Sequence, residues 1–255
     1  MTIGARARTK GGAPTLPLLE LHALTKAFRG LVAVQDVNAV LESGEIVGLI
    51  GPNGAGKTTL FNLISGLHRP TQGRILLDGR EITALPPYAR SLLGIGRTFQ
   101  IVRPFAMTVL ENVMVPILAR DGNPTRAKDA AQEILELVAL DRAANERPEN
   151  LTLAMRKRLE VARALATRPK LLLLDEVLAG LNPTEVEQQL PLIRVLRDKG
   201  ITVLMIEHIV DAVMSVCDRV LVMDQGHLIA DGSPGEVVRN PAVIQAYLGE
   251  EVPGA

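Results

Sequence analysis

A glycine-rich stretch decides the fold: Leu49-Ile50-Gly51-Pro52-Asn53-Gly54-Ala55-Gly56-Lys57-Thr58-Thr59. The largely apolar residues 45–50 indicate a buried strand before the glycines, and residues 60–64 after them have the character of a helix. Glycines let backbone N–H groups turn inward around an anion, because no Cβ stands in the way. The N-terminus of the following helix adds the positive end of its dipole. The stretch therefore predicts a loop that binds phosphate groups.

Two side chains of this loop have the chemistry of a nucleoside triphosphate site. Lys57 can reach the β- and γ-phosphates, and the Thr58 hydroxyl is placed for Mg²⁺. The alternative is a glycine-rich turn that only packs, but the order of strand, glycine loop and helix argues against it. The sequence predicts that residues 51–59 bind a nucleoside triphosphate.

An acidic pair at the end of an apolar run gives the second signal. Residues 171–174 are four leucines, and a short, wholly apolar run is typical of a strand buried in a parallel sheet. Asp175 follows at the strand end, where its carboxylate can hold Mg²⁺ through a water, and Glu176 is then placed to polarise the attacking water. The alternative is an acidic surface loop, which the presence of the phosphate loop in the same chain disfavours.

Composition limits the classes of partner. The chain has 255 residues, enough for a full core, with 28 lysines and arginines against 28 aspartates and glutamates. Zero net charge and 2% aromatic residues argue against nucleic acid as a partner. A single cysteine, Cys217, cannot form an internal disulfide, which fits a reducing cytosolic compartment. No run of about 18 apolar residues occurs, so we expect no membrane span and, for any work at a membrane, a separate anchor.

The chain divides into three parts. We expect a flexible lead-in at residues 1–17, which lacks the apolar segment of a secretory signal, then one domain over residues 18–250 and a tail at 251–255. Strands are predicted at residues 18–24, 31–40, 46–50, 73–77, 92–99, 171–174 and 201–206, with a hairpin at 219–223 and 227–230.

Helices are expected between these strands. Thr108 and Glu111 have the spacing of a capping box, and Asn182 can cap a helix that starts at Pro183. The predicted helices cover residues 108–118, 125–140, 156–166 and 183–196, with two short ones near the C-terminus. Alternating strands and helices imply an α/β sheet with right-handed crossovers.

These motifs together resemble the ATP-binding cassette (ABC) ATPases over nearly all of residues 18–250. The closer likeness is to the cytoplasmic ATPases of branched-chain amino acid importers. Four phrases carry it: Gly96-Arg97-Thr98-Phe99-Gln100, Ala179-Gly180-Leu181-Asn182-Pro183, Ile206-Glu207-His208 and Ala246-Tyr247-Leu248-Gly249-Glu250. The resemblance implies the α/β fold of a P-loop NTPase cassette. It would have a RecA-like parallel-sheet core, an antiparallel β subdomain and a helical signature subdomain at roughly residues 101–168.

The resemblance also implies roles for residues outside the phosphate loop. Gln100 would contact Mg²⁺ and the hydrolytic water, on the loop that senses the membrane partner, and its amide supplies a donor and an acceptor. His208 would stabilise charge on the γ-phosphate, and Phe28 would stack on adenine. Without the resemblance, Gln100 is an exposed polar residue, His208 a structural histidine and Phe28 a core side chain.

One motif departs from the family pattern. The signature, usually LSGGQ, appears here as Leu151-Thr152-Leu153-Ala154-Met155. In the family this loop closes on the γ-phosphate held by a second subunit, and Leu153 and Ala154 replace glycines at that close approach. Either the loop works after a small rearrangement, or this subunit offers a weakened signature to its partner. For the basic residues 156–158 we favour a solvated helix face over added charge near the partner's phosphates.

The resemblance implies an ATPase subunit of an ABC importer, with ATP and Mg²⁺ as cofactors and a branched-chain or similar amino acid as cargo. Expected partners are two membrane permease subunits, a second ABC ATPase (a heterodimer rather than a homodimer) and an external solute-binding protein. Such a subunit works at the cytoplasmic face of the inner membrane.

Three alternatives stay open. A soluble non-transport ABC ATPase usually has two cassettes or a long coiled-coil insertion, and this sequence has neither. An export ATPase shares every nucleotide motif with an importer. A subunit that binds ATP but hydrolyses it weakly would fit the altered signature, although Glu176 and His208 count against it.

Overall fold

Two β-sheets organise the chain in a computed structural model that describes residues 16–99 and 103–248. In chain order the strands are β1 (Leu19–Phe28), β2 (Leu31–Leu41), β3 (Ile46–Ile50), β4 (Gln72–Leu77), β5 (Arg80–Glu81), β6 (Ile95–Arg97), β7 (Leu171–Asp175), β8 (Thr202–Ile206), β9 (Arg219–Asp224) and β10 (His227–Gly232). One sheet is antiparallel, in the order β2-β1-β4-β5. The other has the order β10-β9-β3-β8-β7-β6, with all neighbours parallel except β10 and β9.

Helices connect and cover these strands. They are α1 (Lys57–Ser65), α2 (Pro87–Leu92), α3 (Val109–Asp121), α4 (Pro124–Leu137), α5 (Leu153–Leu165), α6 (Pro183–Asp198), α7 (Val210–Val216), α8 (Pro234–Val237) and α9 (Pro241–Leu248). Helices α3, α4 and α5 lie between β6 and β7 in the sequence, and they pack on one another. A parallel-sheet core, an antiparallel sheet and a helical region confirm the predicted fold class.

The parallel strands are buried on both faces. All five residues of β3, of β7 and of β8 are buried. Ile46 and Ile50 pack into one hydrophobic cluster and Val47 and Leu49 into another, because successive side chains of a strand point to opposite faces. The apolar runs of the sequence therefore correspond to strands enclosed between two layers, as in other parallel sheets.

Side-chain caps set several helix starts. The capping boxes of Thr108 with Glu111 and of Asn182 with Glu185 are both present, as predicted. Helix α5 begins at Leu153, three residues before the predicted start at residue 156. The reason is Thr152, whose hydroxyl accepts a hydrogen bond from the backbone N–H of Met155 and so caps the helix at the signature.

One further prediction of secondary structure is wrong, and the sequence pattern predicts no helix at α2 or α7. The single strand expected at residues 92–99 is the end of α2, a turn at Gly94 (φ 106°) and the three-residue strand β6. Helix α7 was not predicted at all, since its seven residues are too few to give a periodic pattern. Residues 1–15 of the expected lead-in and the whole tail at 251–255 lie outside the described part of the chain.

A buried arginine holds the C-terminus of the phosphate-loop helix α1. The Arg90 side chain is fully buried and donates hydrogen bonds to the carbonyl oxygens of Leu63 and Ile64, at 2.6 and 2.8 Å. It also donates to the carbonyls of Thr83 and Leu85. Burial lowers the pKa of Arg90 to about 10, so the guanidinium stays charged at neutral pH. A cation at a helix C-terminus is favourable, and this one donates to two carbonyls of the last turn, of which that of Leu63 also accepts the N–H of Gly66.

We predict that Arg90→Met lowers the free energy of unfolding by on the order of 3 kcal/mol or more, because buried carbonyls lose a charged donor. Chemical denaturation measures the effect. The control Arg80→Met, at an exposed position of β5, should stay within about 0.5 kcal/mol of the parent. Equal stability of the two variants would contradict the anchoring role of Arg90.

Candidate functional site

A cleft lies at the carboxyl end of the parallel sheet and brings the predicted loop together with two later residues. Its lining residues are Ala33, Asn53, Gly54, Ala55, Gly56, Lys57, Thr58, Thr59, Glu176 and His208. Gly51 and Pro52 lie at the start of the same loop, directly after β3. Residues separated by more than 100 positions in the sequence thus face one cleft, because they follow neighbouring strands.

The loop can adopt its shape only with glycine at two positions. A Cβ at Gly51 (φ 149°) would lie 2.0 Å from the carbonyl oxygen of Met223. At Gly56 (φ 101°) it would lie 2.3 Å from the carbonyl oxygen of Ala33. Both glycines combine a left-handed backbone with close approach to another strand, so any side chain there would distort the loop.

Lys57 lies inside the loop. Its side chain is buried, and Nζ donates hydrogen bonds to the carbonyl oxygens of Gly51 and Pro52, at 2.7 and 2.9 Å. Burial lowers the pKa of Lys57, and the negative charge of Glu176 acts in the opposite direction. An ammonium group has three donors and these carbonyls take two, so Lys57 can also donate to an anion bound in the loop.

Glu176 and His208 form a pair at the wall of the cleft. Nε2 of His208 lies 2.8 Å from Oε1 of Glu176, with the carboxylate mostly buried and the imidazole half-exposed. The two residues follow the adjacent parallel strands β7 and β8. Such an arrangement fixes the direction of a carboxylate that can accept a proton from a water in the cleft.

Asp175 faces a second cleft on the other side of Thr58. Thr58 lines both clefts, and the second is also lined by Arg97, Phe99, Arg103, Glu160, Arg163 and Asp175. A threonine hydroxyl and a carboxylate are the oxygen ligands that Mg²⁺ prefers, so the two residues fit this ion. Within residues 16–99 and 103–248, no group of three or more His, Cys, Asp and Glu side chains could hold a metal. A magnesium ion here would therefore need oxygens from water or a nucleotide as well.

Arg97 is a site residue whose role the sequence did not indicate. It donates to Oδ2 of Asp175 at 2.8 Å, in an ion pair with both side chains buried. The same guanidinium donates to Asn62 and Ser65 of α1, at 2.7 and 2.9 Å. Arg97 thereby connects the phosphate-loop helix with the acidic strand end. In the sequence, this role is indicated only by the presence of a charged residue within a predicted strand. Gln100, three positions later, lies outside the described residues.

Phe28 ends β1 and is 37% exposed. Its ring makes an edge contact with His68, with 5.3 Å between ring centroids, and Nζ of Lys26 lies 4.9 Å from its centroid. It is not among the lining residues found for the cleft within the described chain. Its role as a platform for adenine stays a prediction.

The signature residues form the first turn of α5 and the segment before it. Leu151 is buried, Thr152 caps the helix, and Leu153 is 44% exposed. Leu153 lies against the loop after β7, since a Cβ added at Gly180 would be 3.1 Å from its Cδ2 atom. Ala154 and Met155 are half-buried. No signature residue is among those lining this chain's own phosphate-loop cleft, as described.

The basic run at residues 156–158 is not simply a solvated helix face. Lys157 is buried and its Nζ donates to the carbonyl oxygen of Glu176 at 2.8 Å. Arg156 donates to the carbonyl of Leu151, and Arg158 to the side chain of Gln189. Our interpretation of this run from the sequence is thus wrong at Lys157, because α5 packs with that position toward β7.

Glu207, just before His208, is also buried, with 2% of its surface exposed. Its Oε1 accepts a hydrogen bond from the backbone N–H of Leu178 at 2.8 Å. Burial raises the pKa of Glu207 to about 7, while that hydrogen bond and the charge of Lys157 act to lower it. In the sequence, Glu207 is marked only by its place in the segment Ile206-Glu207-His208.

Membrane insertion has no candidate segment in the part of the chain that the structure describes. None of its helices combines the length and the apolar composition needed to cross a bilayer.

Two family models match the chain. One, described as ABC transporter, matches residues 34–179, and the other, described as branched-chain amino acid ATP-binding cassette transporter, matches residues 227–253. Among solved structures, an ATP-binding cassette in its ADP conformation, MJ1267, superposes with a TM-score of 0.84 at 32% identity, covering 92% of this chain and all of that one.

Curated relatives cover nearly the same span. BraF of Pseudomonas aeruginosa, a high-affinity branched-chain amino acid transport ATP-binding protein, is 44% identical over 92% of this chain and 98% of its own length. LivG of Escherichia coli K12, which has the same description, is 43% identical with the same coverage. LptB of Escherichia coli K12, a lipopolysaccharide export system ATP-binding protein, is 40% identical over 89% of this chain and 95% of its own length. With its phosphate loop, acidic strand end and sheet order, this chain belongs to the ABC transporter family as an ATP-binding cassette.

Proposed function

We propose that this chain is the ATP-hydrolysing subunit of an ABC importer for branched-chain or similar amino acids. The observation that carries the proposal is the 2.8 Å pair of Glu176 and His208 at the wall of the cleft that the phosphate loop lines. It supplies a carboxylate with a fixed direction beside the position expected for a terminal phosphate.

The reaction is the transfer of the γ-phosphoryl group of ATP to water. The water oxygen attacks the γ-phosphorus, the bond to the oxygen that bridges the β- and γ-phosphorus atoms breaks, and Glu176 accepts the proton of the water. Lys57 and the loop N–H groups hold the phosphate oxygens, and His208 directs Glu176 and stabilises charge on the γ-phosphate. Mg²⁺, held through Thr58, Asp175 and Gln100, would neutralise charge on the β- and γ-phosphates.

Other residues bind the nucleotide without taking part in proton transfer. Phe28 would stack on the adenine ring. The signature residues Leu151, Thr152, Leu153, Ala154 and Met155 would face the γ-phosphate bound by a second ABC ATPase. Their position at the N-terminus of α5 supports this, because the N–H groups of a first helical turn favour an anion.

We infer that the working complex contains two membrane permease subunits, a second related ATPase and an external solute-binding protein. The chain would then lie at the cytoplasmic face of the inner membrane, anchored by the permeases. ATP would close the two ATPases on each other and hydrolysis would let them part, which is the movement passed to the permeases. Glycines missing from the signature favour a heterodimer, in which the partner supplies the stronger signature.

Import is favoured over export by the C-terminal match. A cassette alone does not set the direction, since LptB of an export system is 40% identical. The match at residues 227–253 is to a branched-chain amino acid cassette model, and this favours amino acid import.

A pull-down of the tagged protein in mild detergent tests the assembly. Recovery of two polytopic proteins and a second cassette protein, with loss of labelled leucine uptake when the gene is deleted, would support the proposal. Recovery of only soluble nucleic-acid-binding or ribosomal proteins would overturn the transport role and leave the ATPase.

We predict that Glu176→Gln lowers ATP turnover of the purified complex by about 100-fold or more, because the amide cannot accept the proton of the water. Nucleotide affinity, measured with a fluorescent ATP analogue, should change less than about threefold, since the loop contacts remain. The control Glu133→Gln, at an exposed position of α4, should hydrolyse ATP at the parent rate. Unchanged turnover in Glu176→Gln would rule out catalysis by this chain.

We also predict that Ala154→Gly leaves ATP turnover of the complex unchanged or raises it, by up to about tenfold, because the backbone can approach the partner's phosphate more closely. Ala154 lies within α5, so glycine also costs about 1 kcal/mol of helix stability. Ala130→Gly in α4 is the matched control for that cost. A strong loss of turnover in Ala154→Gly alone would mean that the signature is adapted to alanine.

A further inference from the structure

The backbone of Glu176 has a conformation that residues with a side chain rarely adopt. Its φ is 51°, in the left-handed region, at the point where β7 ends and the loop toward α6 begins. A residue other than glycine keeps such a conformation only where its surroundings hold it there, and it is often found at functional sites. The groups that hold Glu176 therefore bear on the direction of its carboxylate.

Hydrogen bonds fix the peptide groups on both sides of Glu176. Its N–H donates to the carbonyl oxygen of Ile206, the last residue of β8, at 3.0 Å. Its carbonyl oxygen accepts a hydrogen bond from Nζ of Lys157 at 2.8 Å. Two residues later, the N–H of Leu178 donates to Oε1 of Glu207 at 2.8 Å. Two of these three bonds involve ionisable side chains, Lys157 as donor and Glu207 as acceptor, so the turn does not depend on backbone contacts alone.

Both ionisable side chains lie where a charge is costly. Lys157 has 7% and Glu207 has 2% of its surface exposed. The surroundings of Lys157 include the apolar side chains of Val161, Leu174 and Val177. A buried charge is tolerated when it is hydrogen-bonded and has an opposite charge near it, and the attraction of Lys157 for Glu207 supplies that. Apolar side chains at these two positions would avoid the cost of burial, so stability alone does not explain Lys157 and Glu207.

We propose that Lys157 and Glu207 are positioning residues for Glu176. They hold the turn at residues 176–178 so that the carboxylate of Glu176 faces His208 and the nucleotide cleft. Through Lys157 they also connect that turn to α5, the helix that begins at the signature. The proposal rests on the proposed function, since it concerns the direction of the Glu176 carboxylate.

The bond from Lys157 connects the signature end of α5 with the turn at Glu176. Lys157 lies about one and a half helical turns from the cap residue Thr152, on the same rigid helix. A shift of α5 when the signature meets its partner's nucleotide therefore moves the ammonium group that holds the carbonyl of Glu176. Contact at one nucleotide site would in this way adjust the general base of the other.

The test compares Lys157→Met in two backgrounds of the purified complex. In the parent background we expect kcat to fall by about 10- to 100-fold, because a general base misplaced by about 1 Å loses efficiency on this scale. Affinity for a fluorescent ATP analogue should stay within about twofold. In the Glu176→Gln background, Lys157→Met should change the residual single-turnover rate by less than about twofold, since the residue acts through a group already removed.

Arg158→Met is the matched control, with the same change of charge one position along α5, where the guanidinium donates to Oε1 of Gln189. It should leave kcat within about twofold of the parent. An equal loss in both backgrounds, or an unchanged kcat in Lys157→Met, would overturn the positioning role. Either result leaves the proposed ATPase function intact, which fails only if Glu176→Gln itself has no effect.

Glu207 provides a second test that decides the matter if Lys157→Met does not fold. Glu207→Gln keeps an oxygen that can accept the N–H of Leu178, whereas Glu207→Leu does not. We expect the Gln variant to keep more than about a third of the parent kcat and the Leu variant to lose about tenfold or more, with nucleotide affinity unchanged in both. Equal rates in the two variants would overturn the role of Glu207.

Discussion

The register of three parallel strands is the constraint on which the rest of the molecule depends. Ile206 at the end of β8 pairs with Leu49 of β3 on one side and with Asp175 of β7 on the other. The chain after each strand therefore leaves the sheet at its carboxyl end, and the phosphate loop and the acidic pair meet there. A one-residue slip in either pairing would move the side chains of a strand from one buried cluster to the other and separate the groups that line the cleft.

Buried cations then hold the segments that follow these strands. Arg90 holds the C-terminal carbonyls of α1, Arg97 joins α1 to Asp175, and Lys157 holds the carbonyl of Glu176. Each is nearly withdrawn from water, and each donates to partners far from it in sequence. Loops have few packing contacts of their own, so hydrogen bonds from charged groups define their geometry better than apolar contact does. The geometry of the candidate site therefore depends on these buried cations.

The sequence indicated the parts of the site whose chemistry is local. A segment of about ten residues is enough to recognise the glycines at 51, 54 and 56, or the apolar run before Asp175. The sequence therefore predicts the phosphate loop and its strands at the correct positions. Arg97, Lys157 and Glu207 act on residues that lie 78, 19 and 29 positions away, and no periodic pattern reports such contacts. The start of α5 was missed for a related reason, since Thr152 was considered as part of a phosphate-binding loop and not as a cap.

The altered signature and the positioning of Glu176 belong to one physical arrangement. The side chain of Leu153 lies beside Gly180 while Nζ of Lys157 donates to the carbonyl of Glu176, so the first two turns of α5 face the loop after β7 at both of its ends. Glycine at position 153 would give the backbone more freedom but would remove the contact with Gly180. The side chain of Leu153 and the ammonium group of Lys157 thus place α5 against the loop that carries Glu176. The loss of signature glycines is thus compatible with a cassette whose own general base is held firmly.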